Sequence, residues 1–413
     1  EYAFLSNVSV GGVSVEKTWV GTASTEQKIV AQDGAAGDRF GFSVSTSGNT
    51  VVVGSYEDDD KGVGSGSVYV YTRFENSWVS QKITPPDITT GSRFGYSVST
   101  SGNYIVIGAM QDNNNIGSVY IYSLSISTWT QEDKLSVGAS GDQFGYSVDI
   151  SGDTVIVGAR RADYVGADSG TAYIFRRSET IETGITWTQE AKLGLNEIGA
   201  NDLYGISVSI DNNTAVVGAF RDDDKGVDAG AVYVYNRINT TWSFEQKIVP
   251  TDGAAGDNFG VSVSVSDDTI IVGASGDDGK GSAYIFTRSG TSWTQQEKIV
   301  DSNGASGDKF GFSVNIDNDT IIIGSENNAG KGSAYIFTRS GTSWTQQEKL
   351  VDPNSTSGAK FGQSVYISNT YAVSGAWAEL NNGAIYIYST VPVSFPSLTY
   401  DGITNLNVTG AEA

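Results

Sequence analysis

Two acidic runs, Glu57-Asp58-Asp59-Asp60 and Asp222-Asp223-Asp224, each lead directly into Lys-Gly-Val. Carboxylates gathered on a loop with glycine-permitted bends are the donors that a hard ion such as Ca2+ takes, with the aspartate of an adjoining loop completing the set. The same runs also read as solvated loop charge, the ordinary fate of like charges in a turn. If Ca2+ binds this chain, its expected ligands are Asp58, Asp59, Asp60, Asp222, Asp223 and Asp224, with Asp277-Asp278 a shorter version of the same loop.

A second set of acids, Asp38, Asp142, Asp202, Asp257 and Asp308, stands two residues before an aromatic-Gly pair. That position suits an Asx-type turn, in which the carboxylate accepts backbone N–H groups. Four aromatics stand in loops at positions that differ around the chain: Tyr56, Tyr164, Phe220 and Trp377. Variable loop aromatics are the candidates for binding a partner or a sugar. Catalysis has little support. The chain has no His and no Cys, which removes the usual base–nucleophile pairs, and its repeated loop acids lack an apolar-framed partner. The expectation is a protein that binds rather than an enzyme, with no cofactor other than the Ca2+ considered above.

These residues are carried on a repeat. Seven aromatic-Gly pairs, Phe40-Gly41, Phe94-Gly95, Phe144-Gly145, Tyr204-Gly205, Phe259-Gly260, Phe310-Gly311 and Phe361-Gly362, are each followed by x-Ser-Val, at spacings of 54, 50, 60, 55, 51 and 51 residues. A period near 50 means one supersecondary unit stacked on copies of itself. Each unit holds an alternating segment such as FGFSVSTS (40–47) and a continuous apolar run such as TVVVGS (50–55). A Gly/Asp-rich loop, a segment such as GSVYVYTR and a charged, Trp-led segment follow. These read as inner, buried and outer strands. Four-stranded units repeated radially make a propeller, so the fold class is all-β, a seven-bladed β-propeller of antiparallel blades.

The seventh unit ends at GAIYIYS (383–389) without its Trp-led strand, and the missing piece stands at the other end, from Trp19 to Val30. The N-terminal strand is therefore expected to close the last blade. Residues 1–18 read as an N-terminal arm, 19–389 as the propeller, and 390–413 as a Pro-punctuated linker and the start of a further module or C-terminal arm. A chain beginning at Glu1 reads as a processed or excised product.

The formal net charge is −22. Up-and-down topology sends the loop before each inner strand and the loop between the second and third strands to one face, so most of the acid collects there. The opposite face carries Ser-Gly-Asn turns with Arg73, Arg176, Arg177, Arg237, Arg288 and Arg339. An acidic face disfavours a nucleic-acid partner, and no apolar stretch is long enough to insert in a membrane.

The recurrent FG-x-S-V, VG[AS] and G-S-x-Y-x-[YF] segments resemble the FG-GAP repeats of the integrin α-subunit propeller. In the detail GDxFGxSV and GTSWTQQEKL they are similar to the microbial surface-protein type. The resemblance covers residues 19–389. It implies an adhesion, recognition or scaffold module that is extracellular, at a cell surface or on a virion, with a protein or glycan partner. Neighbouring subunits could engage the terminal arms. A structural or receptor-binding component of a virus or phage particle is the alternative, and a carbohydrate-active enzyme a second one. The family's Ca2+ loop, a D-x-D-x-D-G-like segment between the first two strands, is not present. Only tight turns such as Ser47-Gly48-Asn49 stand there, so that site is not carried over.

Overall fold

The computed structural model describes residues 27–75, 77–180 and 184–390. The expected arm over 1–18, the stretch from Trp19 to Glu26 and the tail beyond Thr390 lie outside the described residues.

Seven four-stranded sheets form the molecule, each antiparallel and in simple sequence order but for one. The first blade runs Ser43–Ser47, Thr50–Ser55, Ser67–Phe74 and Ser77–Ile83. The exception is the last, where Phe361–Ile367, Tyr371–Ala376 and Ala384–Ser389 are completed by Gln27–Ile29. That strand pairs antiparallel in the register Gln27–Ile387, Lys28–Tyr386 and Ile29–Ile385, so the start of the chain closes its end. The continuous β-branched runs become second strands with every residue buried, as in Thr50–Ser55 and Thr269–Ala274.

The apolar core is divided rather than central. Each of seven clusters lies between two neighbouring blades. Val52, Val68 and Val70 of the first blade meet Phe94, Ile105 and Tyr120 of the second, and Phe40, Val51 and Tyr69 meet Val373 and Ile385 of the last. The aromatic of each aromatic-Gly pair sits in such a cluster against a tyrosine of the third strand, edge-on in Phe94–Tyr120 at 5.2 Å and Phe259–Tyr284 at 5.5 Å and tilted in Phe361–Tyr386. Edge-to-face contact at these separations adds about 1 kcal/mol to area burial.

The rest of the repeated motif stitches blade to blade. The serine after each aromatic-Gly-x donates its hydroxyl to the glycine carbonyl of the next blade. These bonds run from Ser43 to Gly95 at 2.8 Å and around the ring to Ser364 and Gly41 at 3.0 Å, seven in all. Deeper along the axis, a second ring is made of Ser45, Ser99, Asp149, Ser209, Ser264, Asn315 and Tyr366. Its members from Asp149 to Tyr366 line a polar axial cavity of about 420 Å³ that opens toward the Ser-Gly-Asn turns. Asp149 spans three blades there, accepting from Ser99 Oγ at 2.7 Å, Ser209 Oγ at 3.0 Å and the Ile210 amide at 2.8 Å. Burial pushes its carboxyl up, against the pull of those hydrogen bonds.

Candidate functional site

The loops before the inner strands and those between second and third strands do meet on one face: the Gly91 amide donates to Val63 O, and the Gly256 amide to Val227 O. The turn aspartates are held as their spacing suggests. Asp38, Asp142, Asp202, Asp257 and Asp308 each accept an amide three residues earlier, at 2.6–2.8 Å. Asp202 is desolvated and lies near Asp222 and Asp223. Burial and that repulsion push its carboxyl up to about 6, against the Gly199 hydrogen bond.

One acid of each run is buried, Asp58 and Asp222, while Asp59, Asp60, Asp223 and Asp224 stay exposed as a charge run usually does. Asp58 is 2 % exposed, accepts from Ser67 Oγ at 2.9 Å and Tyr69 OH at 3.2 Å, and pairs with Lys82 Nζ at 2.9 Å. Lys82 also reaches Asp33 at 2.8 Å and Asp60 at 2.6 Å. Burial pulls the Lys82 ammonium down, and its bonds to Asp33, Asp60, Tyr69 and Asp58 outweigh that and hold it above the usual range. Asp222 repeats the arrangement with Tyr233 OH at 2.8 Å and Lys247 at 2.7 Å, while Asp224 lies 2.6 Å from the same ammonium. Asp59 and Asp223, both exposed, instead accept the Gly64 and Asp228 amides within their own loops.

The same cluster recurs around Lys134, Lys298, Lys349 and Lys28, with Asp112, Asp277, Asn328 and Glu379 as the buried acceptors. In each cluster a lysine from the outer strand supplies the positive charge that these acceptors face. Among the described residues no three acidic side chains are arranged to hold a metal ion.

Replacing EDTA by millimolar Ca2+ is accordingly expected to leave the melting temperature unchanged. Lys82→Gln, which strips Asp58 of its counter-charge, should cost about 3 kcal/mol. Thermal melts of the parent, of that variant and of an Asp58, Asp59, Asp60→Asn triple variant check both points. A Ca2+-dependent rise that the triple variant abolishes would restore the ion to this loop.

Nearer the axis the same face is basic and aromatic, which the charge total hides. The residues just before the aromatic-Gly pairs are Arg39, Arg93, Gln143, Leu203, Asn258, Lys309 and Lys360. All have φ between 54° and 63°, a left-handed backbone that turns the chain sharply into the inner strand. Phe42 packs on Tyr56 at 4.5 Å, Tyr96 at 5.0 Å and Trp377 at 6.5 Å, and Tyr96 packs on Tyr146 at 4.9 Å. Guanidinium groups cover this arc: Arg39 lies 4.3 Å from the Trp377 ring, Arg93 5.6 Å from Tyr56 and Arg160 3.8 Å from Tyr146. Among the described residues two carboxylates pair with Arg39, Arg93 and the lysines of the adjoining sixth and last blades, while Arg160 bonds Gln143. Glu57 pairs with Arg39 and Arg93, and Glu326 with Lys309 at 2.7 Å and Lys360 at 3.8 Å.

Of the four loop aromatics, the structure brings Tyr56 and Trp377 together here, with Tyr56 only 9 % exposed beneath its neighbours. Phe220, at the equivalent place in the fourth blade, instead carries Arg221 on its ring at 5.3 Å. Tyr164 lies on the third blade, with Lys192 Nζ at 4.9 Å. Arg39, Arg93, Arg160, Phe42, Tyr96 and Tyr146 were not singled out by the sequence reading. For all but Arg160, which follows the second strand of the third blade, the signal lies in the residues flanking the aromatic-Gly pairs.

The repeats match the FG-GAP repeat family at residues 23–71, 78–122, 129–175, 187–235, 242–286, 293–337 and 344–388. The chain belongs to that family, as a seven-bladed propeller domain. Each matched unit after the first starts on the outer strand of one blade and ends on the third strand of the next, so the boundaries between units fall inside sheets. No curated protein matches the chain.

Proposed function

We propose that the domain is a non-catalytic recognition or scaffold module of an extracellular or surface assembly, and that it engages its partner through the axial mouth of the loop-bearing face. The observation that carries this reading is the asymmetry of that mouth. The serine–glycine stitching repeats in all seven blades, yet the continuous ring-on-ring stack runs across the last blade and the first three, while the fourth has a single Arg221–Phe220 pair and the sixth a single Lys309–Phe312 pair. Ring-wide repetition is what packing demands. Departure from it at a concave mouth is what selective binding demands. The half-buried guanidinium groups over aromatic faces suit an anionic or polar partner, protein or glycan. The non-catalytic part of the reading is supported by the loop carboxylates themselves, which are held by lysines and backbone amides rather than paired across a cleft.

The test uses the labelled full chain on glycan and peptide arrays, beside an Arg39→Asn, Arg93→Asn variant. Asparagine keeps the left-handed backbone that both positions require. The expected result is a bound class that the double variant loses at unchanged melting temperature. Binding indifferent to the double variant, or glycan cleavage by the parent, would overturn the proposal.

A further inference from the structure

The third blade breaks the lysine-centred cluster. Its loop Arg161–Gly170 has the same length and hydrogen bonding as Arg221–Gly230 in the fourth blade. The Gly170 amide donates to Ala162 O at 2.8 Å, as Gly230 does to Asp222 O. Asp168 donates to Asp163 Oδ1 at 2.9 Å, as Asp228 does to Asp223 Oδ1 at 2.8 Å. On this common backbone, the two carboxylates that hold Lys247 in the fourth blade, Asp222 and Asp224, are replaced by Ala162 and Tyr164. The preceding loop supplies Asp33, Asp87, Asp252 and Asp352 to the lysines of other blades, but in the third it presents Val137, packed beside Ala162 and Tyr173. Three acceptors are gone, yet Lys192 and Tyr173 remain. The ammonium lies 4.9 Å from the Tyr164 ring and 5.4 Å from Tyr173, and Lys192 is exposed where Lys82 and Lys247 are enclosed. Asp142 is no substitute, because its carboxylate caps the Ala139 amide as its counterparts cap theirs.

Tyr164 is held in place. A Cβ on Gly194 would meet its ring at 2.6 Å, so the bare backbone of Gly194 is the shelf on which the ring lies. The ring stays 39 % exposed and the adjacent Val165 44 %.

We propose that Lys192, Tyr173 and Tyr164 form a binding site for an external organic carboxylate, in the place that a loop aspartate fills in the fourth blade, and that its fitting source is a uronic acid residue of an acidic glycan. The lysine ammonium and the tyrosine hydroxyl are the donors that take Asp222 in the fourth blade. The exposed ring gives a sugar a flat apolar face beside the charge. This deepens the reading of the loop-bearing face as a recognition surface, at a point apart from the axial arc.

The experiment titrates the full chain with a short galacturonate oligomer, the matched neutral galactose oligomer and an acidic peptide, followed by calorimetry. The expected result is binding of the galacturonate oligomer alone. Lys192→Gln should weaken it about tenfold or more. Ala162→Asp should abolish it by restoring the internal carboxylate, and should raise the melting temperature, which also shows that the variant folds. The Arg39→Asn, Arg93→Asn variant should bind the oligomer as the parent does, so loss of the axial reading leaves this one standing. Equal binding of the neutral oligomer, binding unaffected by Lys192→Gln or Ala162→Asp, binding of the acidic peptide only, or no binding at all would overturn the proposal.

Discussion

Gly54→Ala is expected to cost about 3 kcal/mol or more, a large part of the stability of an ordinary domain. A Cβ built on Gly54 falls 2.0 Å from the Gly95 carbonyl oxygen of the next blade and 2.3 Å from Ser43 Oγ, the hydroxyl that bonds that same carbonyl. Neither atom is the free end of a flexible side chain. One methyl group therefore breaks the stitch and pushes two inner strands apart. The equivalent glycines, from Gly108 to Gly375, meet the next blade's glycine carbonyl at 1.9–2.2 Å, so the effect should repeat at each blade interface.

Two controls separate the mechanisms. Ser43→Ala removes the hydrogen bond without adding volume and should cost about 1 kcal/mol. Gly48→Ala meets nothing within 4 Å and adds only the strain of a side chain at φ 56°, again about 1 kcal/mol. Urea unfolding of the three variants checks the order. A Gly54→Ala midpoint close to that of Ser43→Ala would mean that the blades slide apart freely and that contact does not set their spacing.

The blade count was legible because the aromatic-Gly-x-Ser motif serves the same packing contact seven times, and a contact set by sterics tolerates little variation. Closure was legible for a related reason: an outer strand with Lys28 was missing at one end and present at the other. The lysine clusters were not, since Asp58 and Lys82 are 24 residues apart and meet only when the second and fourth strands share a sheet. Asp58 therefore read as part of a solvated run, although it is buried under Tyr69. The basic mouth was hidden by averaging. Arg39 stands in a loop whose summed charge is acidic and Arg93 in one that sums to zero, on a face acidic as a whole, and only the ring geometry sorts charges by distance from the axis, turning these two inward. Tyr56 was legible as a loop aromatic, but its burial depends on Phe42 and Tyr96, which come from two different blades.

Removing residues 1–30 is expected to produce the largest loss of all, because it opens the ring. Gln27–Ile29 is a short strand, but without it Ala384–Ser389 becomes an unpaired edge whose residues Ala384 to Tyr388 are buried in the intact molecule. The deletion also takes away Lys28, which reaches Glu379 at 3.1 Å and Asp352 at 3.3 Å. Glu379 is 2 % exposed, so its carboxylate would be left buried without a counter-ion, at a cost of about 3 kcal/mol. A propeller distributes its core between blades, so a weakened last blade also loosens the cluster it shares with Phe40 and Tyr69 of the first.

The truncated chain should therefore melt far below the parent and aggregate through the exposed edge. Lys28→Gln in the full chain isolates the ionic part, and adding Glu379→Gln to it should recover much of the loss by removing the stranded charge. Thermal melts and light scattering on these four proteins distinguish the contributions. If the chain lacking residues 1–30 melts with the parent, the interfaces between blades hold the ring without a closing strand, and the pairing of Lys28 with Tyr386 is incidental to stability.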